Sequence, residues 1–289
     1  MRRVFNEILG RELALPDRPE RMVSLSPSVT ETLFMLGLGD RVVGVSAFCA
    51  RPEEARAKRK LGSYGAANAD VLAELKPDVV FTITGYQKPL ALRLAERLPV
   101  YLLELPATVA GIADMVSRVG LVAGEAEGGR DLSASLLKEL GGLTRPPGGR
   151  RPRTYVEIDL GGPVSFGAYS YITDALHLLG AAGVYGHVDA EWLQPDLPGV
   201  KAGDPDVFIY EAKMYSKFGR EDLERLIDGR GWRDMKAVRT GNYFLTPGPL
   251  DFLAHHGPSF VRTAMPWLRD RLAASGEDLL SGRRLHTRT

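Results

Sequence analysis

From Met22 onward, short apolar or β-branched runs alternate with segments of helical periodicity. That alternation restricts the chain to a mostly parallel α/β sheet. Met22 to Leu25 reads as a strand broken by Ser26-Pro27-Ser28, after which Val29, Leu33 and Leu36 share one helical face that Gly37 and Gly39 end. Arg41 to Val45 reads as a second strand. Asn68 is placed to cap a helix carrying Val71, Leu72 and Leu75, and Pro77-Asp78 introduces a strand from Val79 to Ile83. A helical face at Leu90, Leu94 and Leu98 precedes a strand from Val100 to Leu103, and a further helix carries Ile112, Met115, Val116 and Val119.

Between about 124 and 153 the composition changes. Glycines, prolines and Arg145, Arg150, Arg151 and Arg153 cluster there, around a helical repeat at Leu132, Leu136, Leu137 and Leu140. The pattern predicts one linker helix flanked by loops, its arginines forming a solvated linker or an anion site. The alternation then restarts. A strand from Thr154 to Leu160 meets the loop Gly161-Gly162-Pro163, followed by a helix with Ile172, Ala175, Leu176 and Leu179 on one face. Pro205-Asp206-Val207-Phe208-Ile209 echoes Pro77-Asp78-Val79-Val80-Phe81 at 128 positions' distance, and Leu179-Gly180 echoes Leu36-Gly37. The shared order predicts two similar α/β lobes: residues 1–123, a linker at 124–149, and residues 150–289.

Composition narrows the function. With Lys+Arg 37 against Asp+Glu 36, the net charge is +1, without the basic excess of nucleic-acid binders. Cys49 is the only cysteine, which excludes an intrachain disulfide and a multi-cysteine metal site, and burial as an inert thiol is expected. No run approaches the ~18 apolar residues of a membrane span. The basic start Met1-Arg2-Arg3 is not followed by the apolar stretch of a signal peptide. The sequence contains no G-x-S-x-G elbow, phosphate-binding P-loop, H-E-x-x-H or G-x-G-x-x-G, so no enzymatic activity and no cofactor are expected.

Aromatic residues provide the positive signal. Phe48, Tyr64 and Tyr86 stand beside loop signals in the first half; Phe166, Tyr169 and Trp192 do so in the second. In open α/β sheets ligands bind beyond the carboxyl ends of the strands. Rings placed there would line a cleft suited to a large flat apolar ligand, the other reading being that each ring fills its own lobe's core. His255-His256, in a loop before Gly257-Pro258, is a second candidate ligand contact. Ser28-x-x-Glu31 fits a capping box.

Arg21-Met22-Val23-Ser24-Leu25-Ser26-Pro27-Ser28-Val29-Thr30-Glu31 resembles the first strand, loop and helix of the ABC-importer solute-binding proteins for vitamin B12 and ferric siderophores. The resemblance continues through Gly37 to Val45, Leu61-Gly62-Ser63-Tyr64, Asn68, Leu75 to Val80, Gly231-Trp232 and Ala237 to Phe244. It implies two Rossmann-like lobes joined by one long helix, with the ligand held in the cleft between them, in a monomer outside the cytoplasm. The B12 binders are most similar, which makes cobalamin or another metal chelate the expected ligand. Phe48 stands where they place a cleft aromatic and Tyr64 where they carry a tryptophan. An ABC permease and its ATPase are the implied partners. Glu31 resembles the first-lobe glutamate that meets permease arginines. In the second lobe Pro198 falls near the position of the matching glutamate, leaving Asp196, with Glu191 upstream, as the nearest carboxylates. His255 or His256 stands where relatives often have an arginine before Gly-Pro, at the second lobe's rim, where an axial contact to the ligand's metal is conceivable. The same fold binding haem or a ferric siderophore is one alternative. A cytosolic tetrapyrrole- or corrinoid-handling enzyme, such as a chelatase, is another.

Overall fold

A computed structural model describes residues 1–145 and 149–281. The proline-rich part of the expected linker, Pro146-Pro147-Gly148, and the last eight positions of the expected second lobe lie outside the described residues. The chain forms two compact units. The first comprises Met1–Pro106, Ala110–Lys138 and His255–Pro258; the second comprises Ala107–Val109, Glu139–Ala254 and the chain from Ser259 onward.

The first unit opens with a hairpin, β1 (Arg2–Asn6) and β2 (Arg11–Leu15). Buried Asn6 holds it, receiving the Leu9 N–H at 2.9 Å and donating to the Leu102 carbonyl at 2.9 Å. There follow β3 (Met22–Ser24), α1 (Pro27–Met35), β4 (Val42–Val45), α2 (Ala69–Glu74), β5 (Val79–Ile83), α3 (Lys88–Ala95), β6 (Val100–Leu103), α4 (Val109–Val122) and α5 (Ala126–Leu143). Among the described residues this unit's main sheet is parallel, in the order β4-β3-β5-β6. Both faces are covered, so its strands are continuous apolar runs. Val23, Val80 and Val100 pack against Leu72 and against Leu90, Leu94 and Leu98, the face anticipated from sequence. Asn68 caps α2 as expected, its side chain accepting the Asp70 N–H at 2.9 Å.

Of the glycines near 124–129, Gly124 (φ +81) lies in the short turn between α4 and α5, and the others do not mark a loop. Gly128 and Gly129 lie within α5, and a Cβ on Gly129 would meet the Gly120 Cα at 2.9 Å, so they let α4 and α5 approach closely. α5 belongs to the first unit through Lys138 and to the second from Glu139.

The second unit contains β7 (Arg153–Asp159), β8 (Pro163–Phe166), α6 (Tyr171–Leu178), β9 (Ala182–Gly183), β10 (Trp192–Leu193), α7 (Leu197–Gly203), β11 (Val207–Glu211), α8 (Arg220–Gly229), α9 (Lys236–Arg239), β12 (Tyr243–Leu245) and α10 (Met265–Ser281). Its described sheet runs β10-β8-β7-β11-β12, with β9 pairing β7; β7, β11 and β12 are parallel, whereas β8 returns antiparallel to β7. Trp232 is buried against Tyr155 and Phe208, at ring distances of 6.0 and 5.5 Å. The Arg230 guanidinium lies 4.8 Å from the Trp232 ring and forms two 2.8 Å bonds to buried Glu157, which also accepts the Tyr155 hydroxyl at 2.5 Å.

The internal echoes have matching structural roles. Asp78 accepts the Arg21 N–H at 2.9 Å and donates its own N–H to the Arg21 carbonyl at 2.9 Å, just before β3. Asp206 makes the same pair of bonds, each 2.8 Å, with Arg153 at the start of β7. Each Pro-Asp thus pins the neighbouring parallel strand in register. Gly37 (φ +74) and Gly180 (φ +80) end α1 and α6 in the same left-handed turn, closed by Gly37 N–H to Phe34 O and Gly180 N–H to His177 O. The linker arginines have structural partners: Arg150 pairs with Asp206 at 2.8 Å, and Arg151 lies 2.8 Å from His177 Nδ1.

Candidate functional site

In the first unit the structure gathers Phe48, Tyr64 and Tyr86 into one row. Phe48 follows β4 and meets Tyr64 edge-on at 6.3 Å; Tyr64 stacks on Tyr86 at 6.5 Å and 24°. Local chemistry fixes this arrangement. The Ala47 N–H bonds the Gly62 carbonyl at 2.8 Å, tying the loop after β4 to the segment carrying Tyr64. Buried Gln87 accepts the Ile83 N–H at 3.1 Å and donates to the Leu25 carbonyl at 2.8 Å, locking the turn beyond β5. Gly85 turns the chain with φ +70, and Tyr86 is left 72% exposed. Gly65 sits beneath the Tyr86 ring, where a Cβ would meet Cε1 at 2.6 Å. The rings therefore stand at the carboxyl ends of two parallel strands and do not fill the core.

In the second unit Tyr169 and Trp192 are more than half exposed. Phe166 and Trp192 are register partners on β8 and β10. Because β8 runs back along β7, with Ile158 opposite Val164, Phe166 lies back along the sheet and not at the carboxyl end of β7.

The expected place of His255 and His256 at the second unit's rim is corrected. Both histidines are buried, and they belong to the first unit, not to a rim of the second. The Glu31 carboxylate accepts a hydrogen bond from His255 Nε2 at 2.9 Å, and Glu31 is only 6% exposed. Both imidazoles are enclosed in this conformation. The capping-box reading fails as well, because Pro27, with its fixed φ, begins α1 early, so that Ser26 is the N-cap and neither it nor Ser28 caps through its side chain. Gly257 closes the site: a Cβ there would fall 2.4 Å from Glu31 Oε2 and 2.6 Å from His255 Nε2. Asp196, by contrast, is exposed at the N-cap of α7.

Cys49 is fully buried within hydrogen-bond distance of Thr30 and Ser46 hydroxyls, and burial pushes its thiol pKa up despite those contacts, as for an inert core thiol. Glu211, also buried, ends β11 and receives the backbone N–H groups of Phe252, Leu253 and Ala254. Burial, assisted by Asp251, pushes its carboxyl up to about 7 against the pull of those donors. Among the described residues no group of three or more His, Cys, Asp or Glu side chains is arranged to hold a metal, and no helix is long and apolar enough to cross a membrane.

Exposed rings at strand ends suit the capture of a ligand. A family model described as periplasmic binding protein matches residues 22–250, and the chain belongs to that family. A vitamin B12-binding protein of Yersinia pestis (strain Pestoides F) is 25% identical over 201 residues, covering 68% of this chain and 71% of that protein. The periplasmic heme-binding protein RhuT from Roseiflexus sp. RS-1, in apo form, superposes with a TM-score of 0.73 at 23% identity, covering 89% of this chain and 98% of that one. The periplasmic vitamin B12 binding protein BtuF of Vibrio cholerae gives 0.73 at 18% identity, covering 90% and 98%. At these identities the structural likeness establishes the fold, the two-lobed α/β class expected from sequence.

Proposed function

We propose that this chain is the solute-binding component of an ABC importer, capturing a corrinoid outside the cytoplasm and delivering it to a membrane permease. The observation that carries the reading is the Phe48–Tyr64–Tyr86 row, whose outermost ring is exposed at the carboxyl end of β5. A corrin is a broad, partly apolar disc, and stacking adds to the area such rings bury. Tyr169 and Trp192 of the second unit supply further exposed rings. The similarity to a vitamin B12-binding protein supports this ligand class. Family membership favours a binding protein over a tetrapyrrole-handling enzyme. Exposed Asp196 takes the docking role on the second unit, offering a carboxylate for a permease arginine.

Haem is the second reading, favoured by the exposed Tyr86 phenol, since a phenolate ligates ferric iron. Calorimetric titration of the purified protein with cyanocobalamin, and separately with haemin, tests both. Saturable binding of cyanocobalamin at micromolar concentration or below supports the corrinoid reading. Binding of haemin alone, with a charge-transfer absorbance band that Tyr86→Phe removes, would replace it with the haem reading.

A further inference from the structure

Tyr215 is the residue of the second unit whose geometry is least explained by folding. Its backbone has φ +66, in the left-handed region that bulky side chains avoid. The other described non-glycine residues with positive φ are Lys76 and Asp204, and each stands at a helix C-terminus, where that conformation closes the last turn. Tyr215 closes no helix. It lies in the loop after β11, where its N–H bonds the Pro249 carbonyl at 2.7 Å and the Ser216 N–H bonds the Lys213 carbonyl at 3.0 Å. Two backbone bonds therefore hold the strained residue in place.

Burial of the ring does not offset the strain, because Tyr215 is 55% exposed. Its loop neighbours behave in the opposite way: Met214 is buried, and Phe218 packs on Tyr210 at 5.0 Å. The loop sends its other large apolar side chains inward and turns this ring out. The adjacent strand does something similar. β7 pairs in parallel with β11, Glu211 opposite Ile158, and the residue after β7, Leu160, is 59% exposed. Asp159 fixes that turn by accepting the N–H groups of Gly161 and Gly162 at 2.9 and 3.0 Å. Two neighbouring parallel strands thus end in outward-facing apolar side chains on pinned turns, where open α/β sheets take ligands. Strained, over-determined residues of this kind concentrate at ligand clamps.

We propose that Tyr215, in the loop that follows the strand paired with the one Leu160 follows, is a ligand-stacking and specificity-determining residue of the second unit, taking the flat apolar face of the metal chelate. This rests on the solute-binding reading and adds a contact that neither the aromatic pattern nor Phe166, set back along β8, supplies.

The test compares Tyr215→Gly, Tyr215→Ala and Tyr215→Phe with wild type in calorimetric titrations against cyanocobalamin and haemin, together with thermal melts. The Gly variant removes the ring and also relieves the backbone strain, so it folds. The expected result is a melting temperature for Gly above that for Ala, with both weakening binding of whichever chelate the wild type takes by at least fivefold, and Phe staying within twofold. Wild-type affinity in a folded Gly variant would overturn the proposal while leaving the solute-binding reading intact. A wild type that binds neither chelate would overturn both.

Discussion

The Glu31 carboxylate and the His255 imidazole, 224 positions apart, are hydrogen-bonded at 2.9 Å inside the first unit. The bond places the short segment His255–Pro258 in a unit whose remaining residues all precede Glu139. It also favours a glycine at 257, since a Cβ there would crowd both partners and push them apart. We expect Gly257→Ala and Glu31→Ala each to destabilise the protein by about 1–3 kcal/mol, the order of cost of leaving a buried polar group unpaired. Thermal or urea unfolding checks this. An unchanged midpoint in both variants would mean the pair contributes nothing.

Glu211 has a pH signature. Its folded-state pKa, about 7, stands above the ordinary 4.5 because of burial, so the native state keeps a proton that the unfolded chain has already lost. The stability tied to this group is therefore complete below about pH 4.5 and is lost as pH rises through about 7. The stability margin of wild type over Glu211→Gln should narrow by up to about 3 kcal/mol between pH 5 and 8. Urea unfolding at several pH values measures the margin; one that widens with pH would contradict the account.

Arg230 neutralises Glu157, whose side chain is 1% exposed. Removing one member of a buried pair strands the other charge, so Arg230→Ala should cost about 3–5 kcal/mol. Replacing both, as Glu157→Leu with Arg230→Met, should cost less than the single change. Denaturant midpoints of the three proteins decide the point.

Asp196→Ala should leave chelate affinity unchanged and weaken binding to the detergent-solubilised permease, whereas Asp196→Glu should retain it. Surface plasmon resonance on the immobilised permease separates the two effects.

Much of the scaffold is legible in the sequence because its signals are local. The apolar runs of β5 and β6, the Asn68 cap and the Leu-Gly helix stops each act within a few residues, and the repeated Pro-Asp makes the same backbone bonds in both units. The row of Phe48, Tyr64 and Tyr86 is legible as a set, since all three follow turn residues. What is missed depends on distant partners. Nothing near Glu31 announces His255, and a polar residue early in a helix reads more naturally as a cap or an exposed contact. The two-residue strands β9 and β10 carry no periodicity. β11 runs on to Glu211, which brings Tyr215 close to the strand end, where the rule that selects Phe48 and Tyr86 would also select it.

The central claim is that the first unit's aromatic row receives a corrinoid. Titration calorimetry of cyanocobalamin against wild type, Tyr64→Ala and Tyr86→Ala tests it most directly. The account predicts one saturable site at micromolar concentration or tighter, weakened about tenfold or more by either substitution, in line with the area and stacking an aromatic side chain contributes. Wild-type affinity in both folded variants, or no cyanocobalamin binding by the wild-type protein, would contradict it.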